Sequence, residues 1–72
     1  LIDEQEIRSI LGKHDLSMNK ACEVIYLRTG AVIKPKHVWG ALDQHGTLSE
    51  PMTGLFRFLF SELERGYVRE VQ

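Results

Sequence analysis

The residues that could do chemistry are few. Three histidines (His14, His37 and His45) and one thiol (Cys22) are the candidate soft ligands. No two histidines stand four apart, the spacing that places two imidazoles on one helical face, and no Cys-x-x-Cys occurs. No metal site is therefore expected. Cys22 lies in an apolar helical stripe, where a thiol is a small buried hydrophobe rather than a nucleophile. As the sole cysteine it rules out an internal disulfide and fits a reducing compartment. There is no Gly-rich phosphate loop, no nucleophile elbow and no paired-acid constellation, and a 72-residue chain has little room for a pocket. The expectation is a protein that is not an enzyme and holds no cofactor.

What remains is charge. The net charge is −1, which argues against a general polyanion binder. Its distribution is uneven. Residues 13–37 carry Lys13, Lys20, Arg28, Lys34 and Lys36 against Asp15 and Glu23, a net of +3. Each flank, residues 1–12 and 38–72, has a net of −2. A basic middle between acidic ends suits a local phosphate-facing surface, and equally an ordinary mixed, solvated one.

Four amphipathic segments must position these groups. The first spans about 4–13, opened by Asp3 and Glu6 in capping-box spacing, with Ile7, Ile10 and Leu11 on one face; Gly12 and the polar Lys13-His14-Asp15 end it. The second spans about 18–28 with Ser17 as N-cap. Met18, Ala21, Cys22 and Ile25 form its stripe, which Val24, Tyr26 and Leu27 widen, and Thr29-Gly30 stops it. Residues 31–34 form a connector in which Val32 or Ile33 plugs the core; a short strand there would need a partner strand. The third segment, about 35–45, begins at Pro35, buries Val38, Ala41 and Leu42, and stops at Gly46. The fourth, about 51–65, has Ser49 or Thr47 as cap, Thr47 and Glu50 being spaced for a capping box. Met52, Leu55, Phe56, Leu59, Phe60 and Leu63 give the clearest helical period in the chain, and Gly66 opens a short, weakly alternating tail over 66–72. A two-residue period is nearly absent, so the expected fold is a single all-α, four-helix domain with a helix-turn-helix-like central pair. No apolar run approaches the ~20 residues of a membrane span. Leu1-Ile2-Asp3-Glu4 is acidic where a secretory leader is basic. The chain opens without Met and ends without a helix-stop signal, as expected of a domain excised from a longer protein.

Leu16-Ser17-Met18-Asn19-Lys20-Ala21-Cys22 resembles the opening of the second helix in lambda-repressor-like and Cro-type helix-turn-helix domains, with Ala21 at the small position that packs on the next helix. Val38-Trp39 followed by His45-Gly46 is similar to the end of that family's recognition helix. The resemblance covers roughly residues 4–65 through short motifs. It departs from the family at the turn: Arg28 to Pro35 is longer than the usual turn of about 3–4 residues.

The resemblance implies a sequence-specific DNA-binding domain of a small transcriptional regulator, a cytoplasmic or nucleoid-associated repressor. It would act as a dimer on double-stranded DNA with the third helix in the major groove. Asn19, Lys20, Arg28, Lys34 and Lys36 would hold phosphates, His37 and Gln44 would face base edges, and Gly40 would permit close approach. Asp43 would repel phosphate unless it met a cytosine amine or a cation. The ordinary alternative makes the lysines solvated and Gly40 a helix-packing position. Trp39 reads as core or edge of core rather than a stacking platform. Phe58 falls off the fourth stripe and, with Tyr67 and Val68, suggests a dimer or partner surface, or else burial under the tail. The competing function is a helical protein-interaction module presenting an apolar face (Phe58, Tyr67 and Val71) to a partner.

Overall fold

The computed structural model describes residues 1–66, and Tyr67, Val68 and Val71 lie outside the described residues. The protein is an all-α four-helix domain: α1 (Glu4–Lys13), α2 (Met18–Thr29), α3 (Pro35–His45) and α4 (Glu50–Glu64). Each boundary falls within one residue of the expected one, because the local signals act as their chemistry dictates. The Asp3 carboxylate accepts from the Glu6 N–H at 2.8 Å, and the Ser17 hydroxyl accepts from the Lys20 N–H at 3.1 Å. Gly30 and Gly46 end α2 and α3 with φ of 80° and 78°, a left-handed geometry that costs glycine least.

Three local expectations are corrected. The first concerns the end of α1. Gly12 is inside the helix, and the stop is Asp15, a non-glycine residue at φ 53°. Its N–H reaches the Gly12 carbonyl at 3.2 Å and the next N–H, of Leu16, reaches that of Leu11 at 2.8 Å. This double closure is a Schellman motif, and it swings Leu16 into the core beside Leu11. The second concerns the capping boxes. The Glu6 carboxylate binds Arg57 at 2.9 Å instead of reaching back to Asp3. Thr47 is drawn into a single antiparallel bridge with Asp3, which leaves Ser49 as the N-cap of α4 without a side-chain hydrogen bond.

The third correction concerns which apolar residues are buried. One cluster draws on all four helices: Ile7 and Leu11 from α1; Met18, Ala21, Cys22 and Ile25 from α2; Val38 and Leu42 from α3; Phe56, Leu59, Phe60 and Leu63 from α4. Ile10, Val24, Ile33, Trp39, Ala41, Met52 and Leu55 pack against it, half-buried. Tyr26 and Leu27, expected to widen the buried stripe of α2, are exposed, because the core lies against Met18, Ala21, Cys22 and Ile25, with Tyr26 at the flank of that stripe beside Cys22 and Leu27 opposite it. Ile33, not Val32, plugs the core from the connector. Ile2, Leu16 and Leu48 are also buried, although none lies in a helix.

Ile2 is the centre of a clasp. Its N–H donates to Thr53 Oγ1 at 3.2 Å and its carbonyl accepts from the Leu48 N–H at 3.0 Å. Along the adjoining helices Arg57 meets Glu6 at 2.9 Å and Lys13 meets Glu64 at 3.1 Å. The three side-chain links Ile2–Thr53, Glu6–Arg57 and Lys13–Glu64 share a sequence separation of 51, so α1 and α4 run side by side in the same direction and in fixed register. The length of α4 is thus tied to α1 by side chains, while α2 packs most closely against it.

Candidate functional site

The face built by α2, the connector and the start of α3 carries the free surface groups of interest. The chain leaves α2 at Gly30, whose N–H closes on the Tyr26 carbonyl at 2.8 Å. Thr29 Oγ1 donates to the Ile25 carbonyl at 2.7 Å and accepts from the Ala31 N–H at 3.1 Å. These bonds aim the connector back along α2. Residues 30–34 then carry it to Pro35, whose missing N–H costs nothing at the first helical position. The connector is longer than the turn of the resembled family.

Between α2 and the connector lies an open groove of about 460 Å³. Asn19, Cys22, Glu23 and Tyr26 form one wall, spaced i, i+3, i+4, i+7 along α2, and Val32, Ile33, Lys34 and Pro35 form the other. The walls are mainly apolar, with Asn19, Glu23 and Lys34 as their polar members, and face solvent: Tyr26 is 52% and Val32 73% exposed. Cys22 forms part of the lining from the core side, and burial pushes its thiol pKa up, which keeps it protonated and poorly nucleophilic.

The eight residues expected to contact DNA do not form one strip. Asn19 and Lys34 share the groove. Lys36, His37 and Gln44 are exposed along α3, as is Gly40, which instead lines a separate depression with Glu4, Arg8, Trp39 and Asp43. Lys20 is bound to Glu23 at 3.1 Å, one turn along the same helix. Arg28 points the other way, to α4, where its guanidinium donates to the carboxylate of Glu62. Glu62 is the one buried charged residue among those described. Lys34 and Lys36 make no ion pair among the described residues.

Trp39 sits at the edge of the core, half-buried, with the Arg8 guanidinium 4.5 Å from its ring centroid and Glu4 holding that guanidinium at 2.7 Å. This stack seals α3 against α1. Phe58 is 41% exposed on α4; the tail residues expected beside it fall outside the described part. Glu64 is held below its ordinary pKa of 4.5 by hydrogen bonds from Lys13 and His14 and by the Lys13 charge. No cluster of three His, Cys, Asp or Glu side chains able to hold a metal occurs among the described residues, and none of their helices is long and apolar enough to cross a membrane.

The groove residues Tyr26, Val32 and Ile33 belong to no sequence motif that marks a site. The usable signal was an excess: α2 carries more apolar residues than one buried face can hold, and Val32 extends that surplus into the connector. Comparison with known proteins found no matching family model, no similar curated protein and no similar solved structure.

Proposed function

We propose that the chain is a protein-interaction module that takes a partner segment into the groove between α2 and the connector. The observation that carries this reading is the exposure of Tyr26 and Val32 as the lips of a groove lined by Cys22, Ile33 and Pro35. Full burial of apolar side chains of this size is worth about 1.5–3 kcal/mol each, the driving force a partner would draw on. A small, near-neutral surface interrupted by such a patch is what an interaction site looks like physically. The test is a pair of selections on the same protein, one from a random peptide library and one from a random duplex pool. Peptides whose capture is lost on Val32→Glu, with the circular dichroism spectrum unchanged, are the expected result. A single enriched duplex motif with no Val32-dependent peptide would overturn the proposal.

A second reading, sequence-specific DNA binding by a dimeric cytoplasmic repressor, is supported by the solvent-facing surface of α3, where Lys36, His37, Gly40 and Gln44 are exposed. It ranks below the first because Lys20 and Arg28 are already engaged by carboxylates, leaving Lys34 and Lys36 as the lysines of that surface with no ion pair among the described residues. Each neutralised phosphate contributes about 0.9 to the salt slope on B-DNA, so such a surface predicts a slope near −2 per protomer and weak binding at physiological salt. Under this reading Gln44→Ala relaxes selection at one adenine position.

A further inference from the structure

Resting on the interaction-module reading, we infer that the groove's occupant is an acidic peptide segment in extended conformation, pairing backbone to backbone with residues 31–34. The connector has the burial alternation and the open backbone groups that a strand edge offers to a partner. Ala31 and Ile33 are half-buried and packed on the core, while Val32 and Lys34 are exposed, the two-residue alternation of an extended chain. Lys34 is extended at φ −120° and ψ 146°. Among the described residues, the N–H groups of Val32, Ile33 and Lys34 donate no hydrogen bond within the chain, and the carbonyls of Ala31, Val32 and Ile33 accept none. Such a row of open donors and acceptors is a template for a further strand. A helical partner satisfies its own backbone and would leave these groups to water; an extended one uses them, while an apolar side chain enters between Tyr26 and Ile33.

Charge decides the partner's composition. Lys34 lines the groove and Lys36 follows it in the first turn of α3, and neither has a carboxylate partner among the described residues, whereas the one carboxylate in the groove wall, Glu23, is already taken up by Lys20. The groove end is therefore cationic on a chain whose net charge is −1. A second copy pairing edge to edge would bring the Lys34 and Lys36 of both chains to one short strand pair, within about a Debye length (~10 Å at 0.1 M salt), where like charges oppose association. A segment carrying Asp or Glu beside its apolar residues meets the same cations favourably and gains in on-rate as well.

The test uses the full chain and three fluorescein-labelled octapeptides at concentrations where they are monomeric: alternating Val and Glu, alternating Val and Lys, and the Val/Glu peptide N-methylated at every second amide. Fluorescence anisotropy should show the Val/Glu peptide binding, with about a tenfold loss on N-methylation, the equivalent of two backbone hydrogen bonds. In the Lys34→Glu/Lys36→Glu variant the preference should reverse toward the Val/Lys peptide, with the thermal midpoint held as the folding control. Equal binding of the N-methylated peptide overturns the backbone pairing, and equal binding of the Val/Lys peptide to the wild-type chain overturns the acidic partner. If library peptides lost on Val32→Glu are indifferent to both changes, the interaction-module reading stands and this inference fails; if no peptide depends on Val32, both fail.

Discussion

Arg28 offers a sharp contrast between surface and structural roles, and a double-mutant cycle with Glu62 separates them. The Arg28 side chain is 39% exposed and the Glu62 side chain 12% exposed, so the carboxylate is nearly out of water while its partner is half in it. An exposed pair is worth about 0–1 kcal/mol, whereas breaking a fully buried pair costs about 3–5 kcal/mol because the stranded charge must stay desolvated. The Arg28 exposure discounts the upper figure, and a coupling of about 1–2 kcal/mol is expected. In a domain of this size each kcal/mol moves the thermal midpoint by about 4–8 °C. Urea denaturation of wild type, Arg28→Met, Glu62→Gln and the double variant, followed by circular dichroism, measures the coupling. Each single change should destabilise, Arg28→Met more, since it leaves the Glu62 carboxylate charged and buried. The double variant should recover part of the loss, because a neutral pair needs no counter-charge. Additive effects, with coupling below about 0.5 kcal/mol, would refute the claim that Arg28 braces α2 against α4.

Two further outcomes test the frame around the site. Ile2→Ala should cost about 2–4 kcal/mol and Ile2→Val about 0.5–1.5 kcal/mol in chemical denaturation, since Ile2 is fully buried and held between Leu48 and Thr53; a loss below 1 kcal/mol for the alanine variant would show that the clasp contributes little. Glu64 should titrate below 4.5 by carboxyl NMR and move back up in Lys13→Ala. Its pKa being lowered by folding, the stability it lends is present above the unfolded value and is lost as pH falls through the folded one, and an unmoved titration in Lys13→Ala would remove the pairing from the account.

Much of the fold was legible because its signals are local. Asp3 and Ser17 cap through a hydroxyl or carboxylate three residues from the N–H they bind, and Gly30 and Gly46 stop helices through their own φ. The stripe from Met52 to Leu63 needs only the helical period to be recognised. The site was less legible. Arg28 looks like any basic residue in the last turn of a helix until Glu62, 34 residues later, is brought to it. Tyr26 and Leu27 look like additions to a buried stripe until the core proves narrower than the apolar arc of α2.

Four helices, their ends and most of their inward faces are written in the order of the residues, because helix formation, capping and periodicity are decided within a few positions. It takes the folded chain to show that Ile2, Leu16 and Leu48 complete the core from outside the helices, that α1 and α4 lie in parallel register, and that Lys20 and Arg28 are taken up by carboxylates while Lys34 and Lys36, beside an open groove, have no ion pair among the described residues. Most of those outcomes depend on residues tens of positions apart meeting in space, and a contact across 34 or 51 residues leaves no periodic mark in the chain that makes it.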